Sequence, residues 1–498
     1  MSASGLPLRL ENAETFATVR DFFQRAEFND PRLCRALALE EMSDLGRVQW
    51  ADVQLDALAA PLRWCLQVFV RGLVLDETES RSACGDQVFA ALHRLGLLQA
   101  AKKSTAAVVC PVWLYPADGF VVATDRREAP EGDAFTPPQD IVFPAIYAGT
   151  LRFLRLLPEA RGGDALDLCG GSGIGALHLA RTARTAATAD LTERSAFFAE
   201  FNARLNGVAL QSFCGDLYAP VAGRQFDLIT AHPPFVPATG SNMVYRDGGE
   251  TGEEVTRRTI EALSAHLRPG GTCVILCVAR DTQEQALEHR VRDWLGAARD
   301  EFDIVFGLEK ILTVAEVVDS LRKRGQQIGD AEARELSGRL HSLGTRQFVY
   351  GVLFLRRYAE RVTQKPFRIG LTQHGRASDF ERVLAWRRHA QQPDFARWLN
   401  QARPAFAPRL QLTARHVVQE GELVPAEFIF AIADGLEAAL RPDAWVVPLL
   451  AQFNGTRSVA EVFASAAAEL PPGFQLADFA ALVERMIERG FLCVAFPS

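Results

Sequence analysis

The chain has 498 residues, 48% apolar and 23% charged, with a formal net charge of −7. That is ordinary globular composition with room for about three domains, and the acidic balance argues against a protein dominated by a nucleic-acid footprint. Its nine cysteines hold no CxxC pair and no metal-ligand spacing, the start MSASGLPLRLENAET lacks a basic, apolar leader, and no run of 18 apolar residues occurs. The expectation is a reducing, cytoplasmic setting with no membrane span and no metal.

Residues 10 to about 105 read as helical, with apolar residues three and four apart in ETFATVRDFFQRA and DVQLDALAAPLRWCLQVFVRGL. SACGDQVFAALHRLGLL gives a helix stopped near Gly96 and followed by an apolar pair, so residues 1–105 are expected to form a winged-helix-like domain. Such a unit docks nucleic acid or packs and gates; the few basic residues favour the second. Residues 106–160 supply a hairpin over Val108 to Asp125, turning at Pro116 to Gly119, and a lead-in helix, IVFPAIYAGTLRFLRLLP. Its Phe143 and Tyr147 could cover a cationic ligand, although aromatic residues on such a helix more often pack in a core.

The segment ALDLCGGSGIGALHLA (Ala165 to Ala180) reads as a buried strand, a glycine-rich turn and a helix, the entry of an α/β nucleotide site. Asp190 closes the next apolar run, 23 residues after Asp167, where a carboxylate meets ribose hydroxyls; Asp216 follows a third short strand. A fourth strand, Phe226 to Ala231, ends in His232-Pro233-Pro234-Phe235. All four features fall at the carboxyl edge of one parallel sheet. The strand Gly271 to Ala279 follows, and DIVFGLE with QFVYGVLFLRRY completes the sheet as an antiparallel pair around a helical insertion, residues 310–346. From Arg322 to Arg368 nine Arg and two Lys face four acids, a local +7. That stretch suits a phosphate-bearing partner or, more plainly, a salt-bridged helical face. In the tail, residues 371–498, Ser458 to Glu461 is a capping-box start and FAALVERMIERGFL repeats the glycine-stopped helix, a second winged-helix-like pattern.

The strand, turn and strand-end order resembles the class I S-adenosylmethionine-dependent methyltransferases, in particular the branch with an Asn-Pro-Pro-Tyr signature that includes protein-glutamine and ribosomal RNA guanine methyltransferases. YRDGGETGEEVTRRTIEALSAHLRPGG (Tyr245 to Gly271) is similar to the Asp-Gly-Gly segment of the glutamine methyltransferases, and the likeness covers residues 140 to 280. It implies a Rossmann-like core over residues 161–370 with a mostly parallel seven-stranded sheet, flanked by two mainly helical domains. It further implies S-adenosylmethionine held by Asp167, Gly171, Gly173 and Asp190, with Asp216 at the adenine and His232, Pro233, Pro234 and Phe235 at the methyl acceptor. Cys169 stands where the family has its first glycine, and His232 where it has Asn or Asp.

A neutral imidazole can orient one N–H or O–H, or take a proton as a general base, so a nitrogen or an oxygen acceptor fits this position. The resulting expectation is a methyltransferase acting on a planar amide or amine of a protein, peptide or small molecule. Its alternatives are an RNA base methyltransferase using the basic stretch, and a non-catalytic S-adenosylmethionine-binding protein.

Overall fold

A computed structural model describes residues 6–238, 243–322, 328–466 and 470–495. Four short apolar runs form parallel strands: β1 (Asp164–Leu168), β2 (Thr185–Asp190), β3 (Gln211–Cys214) and β4 (Phe226–Ala231). β5 (Leu267–Thr282) continues parallel to β4, followed in the chain by β6 (Phe302–Leu312) and β7 (Thr345–Arg357). β7 inserts antiparallel between β5 and β6, so the order across this half is 3-2-1-4-5-7-6. The chain reverses direction from β1 between β2 and β4, and that switch opens the crevice where ligands of such sheets sit. Helices α1 (Ala148–Leu156), α2 (Ile174–Leu179) and α3 (Glu193–Asn206) flank this half.

The sheet does not end at seven strands. β8 (Phe367–Leu371) lies parallel to β6, and β9 (Gln411–Gln419), β10 (Glu422–Asp434) and β11 (Leu436–Leu440) extend the edge in the order 8-11-10-9, for eleven strands in all. The segment after residue 371 therefore combines helices with strands that its sequence does not announce. Every residue of β9 is exposed, so no buried face imposes the apolar alternation that marks a strand.

Two expected helices are shorter than their apolar spacing predicts. Pro61 sits in the first turn of Ala60–Cys65, where its missing N–H costs nothing, so the helix begins there and the residues before it form isolated turns. α1 starts only at Ala148 because Pro144 cannot continue a helix that began at Ile141. The N-terminal helices end on a three-stranded sheet, and their core runs unbroken into one face of the central sheet: Phe16 meets Phe201 of α3 edge-on, with ring centroids 5.3 Å apart.

The insertion forms α4 (Val314–Leu321), started by a Thr313/Glu316 capping box, and α5 (Asp330–Ser342). Its apolar face packs on Phe348, Val278 and Val236. Arginines of the basic stretch pair with acids of this chain: Arg346 and Arg368 reach the buried Asp281, Arg368 also reaches Glu288, Arg357 pairs with Glu301, and the exposed Arg361 with Asp300. These arginines are salt-bridged as expected, but they lie on β7, β8 and the loop between them, not on a helical face. No helix among the described residues is long and apolar enough to cross a membrane.

Candidate active site

At the end of β1 the backbone passes through left-handed conformations at Cys169 (φ 56°), Gly171 (φ 53°) and Gly173 (φ 81°) before entering α2. Cys169 thus adopts, with a side chain, the conformation that favours the glycine its position normally carries. Gly171 borders the cavity. A Cβ there would meet nothing within 4 Å, so the loop presents bare backbone to the cavity. Gly173 instead faces away, where a Cβ would lie 2.8 Å from Ala199 Cβ of α3. Expected at the cofactor, it is a packing position that lets loop and helix touch.

The three carboxylates divide their roles. Asp190, at the end of β2, accepts from the Gly171 N–H at 2.9 Å and the Thr192 N–H at 3.2 Å; burial raises its pKa and these donors oppose the rise. Asp167 lies beneath the loop, accepting from Thr230 Oγ1 at 2.7 Å and from the Ala176 N–H. Burial pushes its carboxyl up to about 7, and its contacts anchor the turn to β4 and α2 while it also borders the cavity. Asp216 is half-exposed and takes Arg258 Nη2 at 2.5 Å, a partner not foreseen for a residue expected to meet adenine alone.

The loop after β4 carries His232, Pro233, Pro234 and Phe235. His232 has no hydrogen-bond partner among the described residues; its ring lies 5.6 Å from Phe153 of α1 and nearly parallel to Phe235 at 6.1 Å. Burial holds its pKa down at about 4, so the imidazole is neutral at neutral pH. The loop is fixed from behind by the glycine-rich segment after Arg246. Val236 N–H donates to Arg246 O, Gly248 N–H to Val236 O, and Ala238 N–H to Gly249 O, at 2.8 to 3.0 Å. Gly252 (φ 87°) presses so close that a Cβ would lie 2.5 Å from Phe235 O. From the other side Arg339 of α5 donates to Ala238 O at 3.1 Å.

These pieces enclose one cavity of about 1090 Å³, lined by Asp167, Gly171, Asp190, Asp216 and the whole of His232 to Phe235. A volume at the upper end of the usual range for small-molecule sites has room for a nucleoside cofactor beside an acceptor. The residues fit such a cofactor: bare backbone at Gly171, a strand-end carboxylate at Asp190, and beside it Leu191, 55% exposed, offering an apolar face for a base. Sequence reasoning passed over Leu191, although an apolar residue directly after a strand-end carboxylate was a readable signal. Phe143, on the cavity wall, is stacked by Tyr245 at 5.1 Å and has the Arg127 guanidinium 5.3 Å from its centroid. His178 is held by Asp118 at 2.8 Å, away from the cavity.

Residues 144–305 match the family described as methyltransferase small domain. This segment is similar to methyltransferase small domains. Its relatives include a release factor glutamine methyltransferase of Gloeobacter violaceus, 27% identical over 164 residues. A ribosomal protein uL3 glutamine methyltransferase of Bradyrhizobium diazoefficiens is 32% identical over 157 residues, and a release factor glutamine methyltransferase of Moorella thermoacetica 34% identical over 149. The matches cover 28%, 28% and 27% of this chain and 57%, 48% and 51% of those proteins, so the chain spans about half the length of these relatives. The methyltransferase domain contains both the glycine loop and the His232 loop; α4, α5 and the strands after β6 lie outside the matched segment.

Proposed function

We propose that this protein transfers a methyl group from S-adenosylmethionine to the nitrogen of a planar amide or amine. The observation that carries the reading is the single cavity joining the Gly171–Asp190 cradle to the His232–Phe235 loop. The bound cofactor supplies an electrophilic methyl; the chain's residues have to align an acceptor lone pair with it and keep water away, and alignment alone is worth several kcal/mol, roughly 7 to 11 at best. A neutral His232 accepts one acceptor N–H, the two prolines contribute backbone without N–H donors, and Phe235 offers a stacking face. Asp190 holds ribose hydroxyls while steadying Gly171, and Asp216 with Arg258 meets the base edge. The glutamine methyltransferases among the relatives support an amide or amine acceptor.

The winged-helix-like reading of residues 1–105 is supported by helices closing on a three-stranded sheet, and we assign that unit a packing role because its core is continuous with the methyltransferase domain. In the tail the same likeness is confined to the helices and exit strand of residues 444–495. We retain residues 106–160 as a lead-in unit and residues 161–370, with the insertion at 310–346, as the catalytic domain. Nine unpaired cysteines support a reducing, cytoplasmic setting.

The test is calorimetry with S-adenosylhomocysteine. Asp190→Ala is expected to weaken binding by about 1.5 to 3 kcal/mol, the range for a charge-assisted hydrogen bond. Unchanged affinity would remove Asp190 from the site.

A further inference from the structure

The acceptor side of the cavity has walls that the methyltransferase signature does not specify. Gly149, at the start of α1, lets two tyrosines close on the helix: a Cβ there would lie 3.0 Å from Tyr147 Cε1 and 3.3 Å from the Tyr350 hydroxyl, tighter than ordinary contact. Tyr147 is 43% exposed, and both tyrosines line the cavity. Opposite Tyr350 the pairing of β6 with β7 contains a bulge: Leu308 faces Gly351, Glu309 is the extra residue, and Lys310 faces Tyr350. Without it Glu309 would stand beside Tyr350, because side chains alternate across a strand. The bulge instead turns Glu309 inward onto Arg152, at 2.9 Å with 7% of its side chain exposed, and puts Lys310 on the cavity wall. Lys310 has no ion-pair partner among the described residues. Phe348 and Leu321 of α4 complete the walls, so the insertion roofs this end.

We infer that this lobe receives the methyl acceptor as a small flat aromatic ring bearing an anionic substituent, with the ring against Tyr147 and Tyr350 and the anion on Lys310. Aromatic side chains lining a cavity suit a flat ligand, and an ammonium with no ion-pair partner among the described residues, on a wall shared with Leu312, Leu321 and Phe348 and with the Glu316 carboxylate in its field, selects for negative charge. A glutamine side chain, the acceptor in the relatives' names, brings no ring to Tyr147 and Tyr350 and no charge to Lys310. The inference rests on the methyl-transfer reading and narrows its acceptor.

The experiment incubates the full chain and methyl-labelled S-adenosylmethionine with a source-cell extract divided into an ultrafiltrate and retained macromolecules, while calorimetry with S-adenosylhomocysteine follows the cofactor site. The expected label lies in the ultrafiltrate, on a compound that absorbs in the near ultraviolet and binds an anion exchanger. Lys310→Glu is expected to raise the KM for that compound on the order of tenfold or more, Lys310→Arg to hold it near the native value, and neither to change cofactor affinity. Label confined to protein or RNA, label on a neutral or aliphatic product, or a KM indifferent to Lys310→Glu overturns the assignment. No label in either fraction while the cofactor still binds overturns methyl transfer itself.

Discussion

His232 decides what kind of catalyst the site can be. Packed between Phe153 and Phe235 with its pKa near 4, it can accept a hydrogen bond throughout the neutral range but is too weak a base to remove a proton from an amine. We therefore expect the rate to stay flat across the ordinary imidazole range, about 6.5, and to fall only as pH drops toward 4, where protonation turns the acceptor nitrogen into a donor. His232→Asn should keep substantial activity, because an amide oxygen accepts the same bond. A loss on the order of 100-fold with unchanged cofactor affinity, together with a wild-type profile rising through about 6.5, would establish a general base instead. At this scale the sequence named loops that the structure brings to one cavity, but not each residue's partner. Asp167 and Asp190 were legible as strand ends, whereas the grip of Asp167 on Thr230 joins residues far apart in the chain, which no local pattern encodes.

The element that holds the His232 loop is the glycine-rich run from Gly248 to Gly252. It was readable as a family segment, yet its function appears only when the two loops lie back to back. Gly252→Ala forces a side chain into both a left-handed conformation and the Phe235 carbonyl. The expected destabilisation is about 1 to 3 kcal/mol, and a displaced loop lowers kcat by roughly 100-fold for each ångström of misplacement. Calorimetry should show cofactor affinity little changed, since Gly171 and Asp190 lie on the other side of the cavity; parallel loss of both would mean that the loops are not independent. The bulge at Glu309 was illegible for a related reason. Whether a strand carries an extra residue depends on its partner's register, and β7 lies some thirty residues further along the chain.

For the whole molecule, the sequence divides at about residue 371, but the packing does not. The helix Ala377–His389 lays Phe380 on Phe354 with ring centroids 4.1 Å apart, and fills the space over Gly307, where a Cβ would lie 2.4 Å from its ring. Arg387 from the same helix grips Asp303 of β6 at 2.9 Å, with Asp303 fully buried, and also meets Glu488 near the end of the chain at 2.7 Å. Truncation at residue 371 would strip the cover from β6 and β7 and leave Asp303 buried without its cation, so we expect that fragment to be insoluble or only partly folded. Arg387→Ala isolates the electrostatic part of this effect. Leaving a buried carboxylate unpaired costs about 3 to 5 kcal/mol, so thermal unfolding should shift down by several degrees, whereas Asp303→Asn together with Arg387→Met should recover much of the loss. A folded truncation that binds S-adenosylhomocysteine with native affinity would show that the tail is an independent unit and that the junction contacts are dispensable.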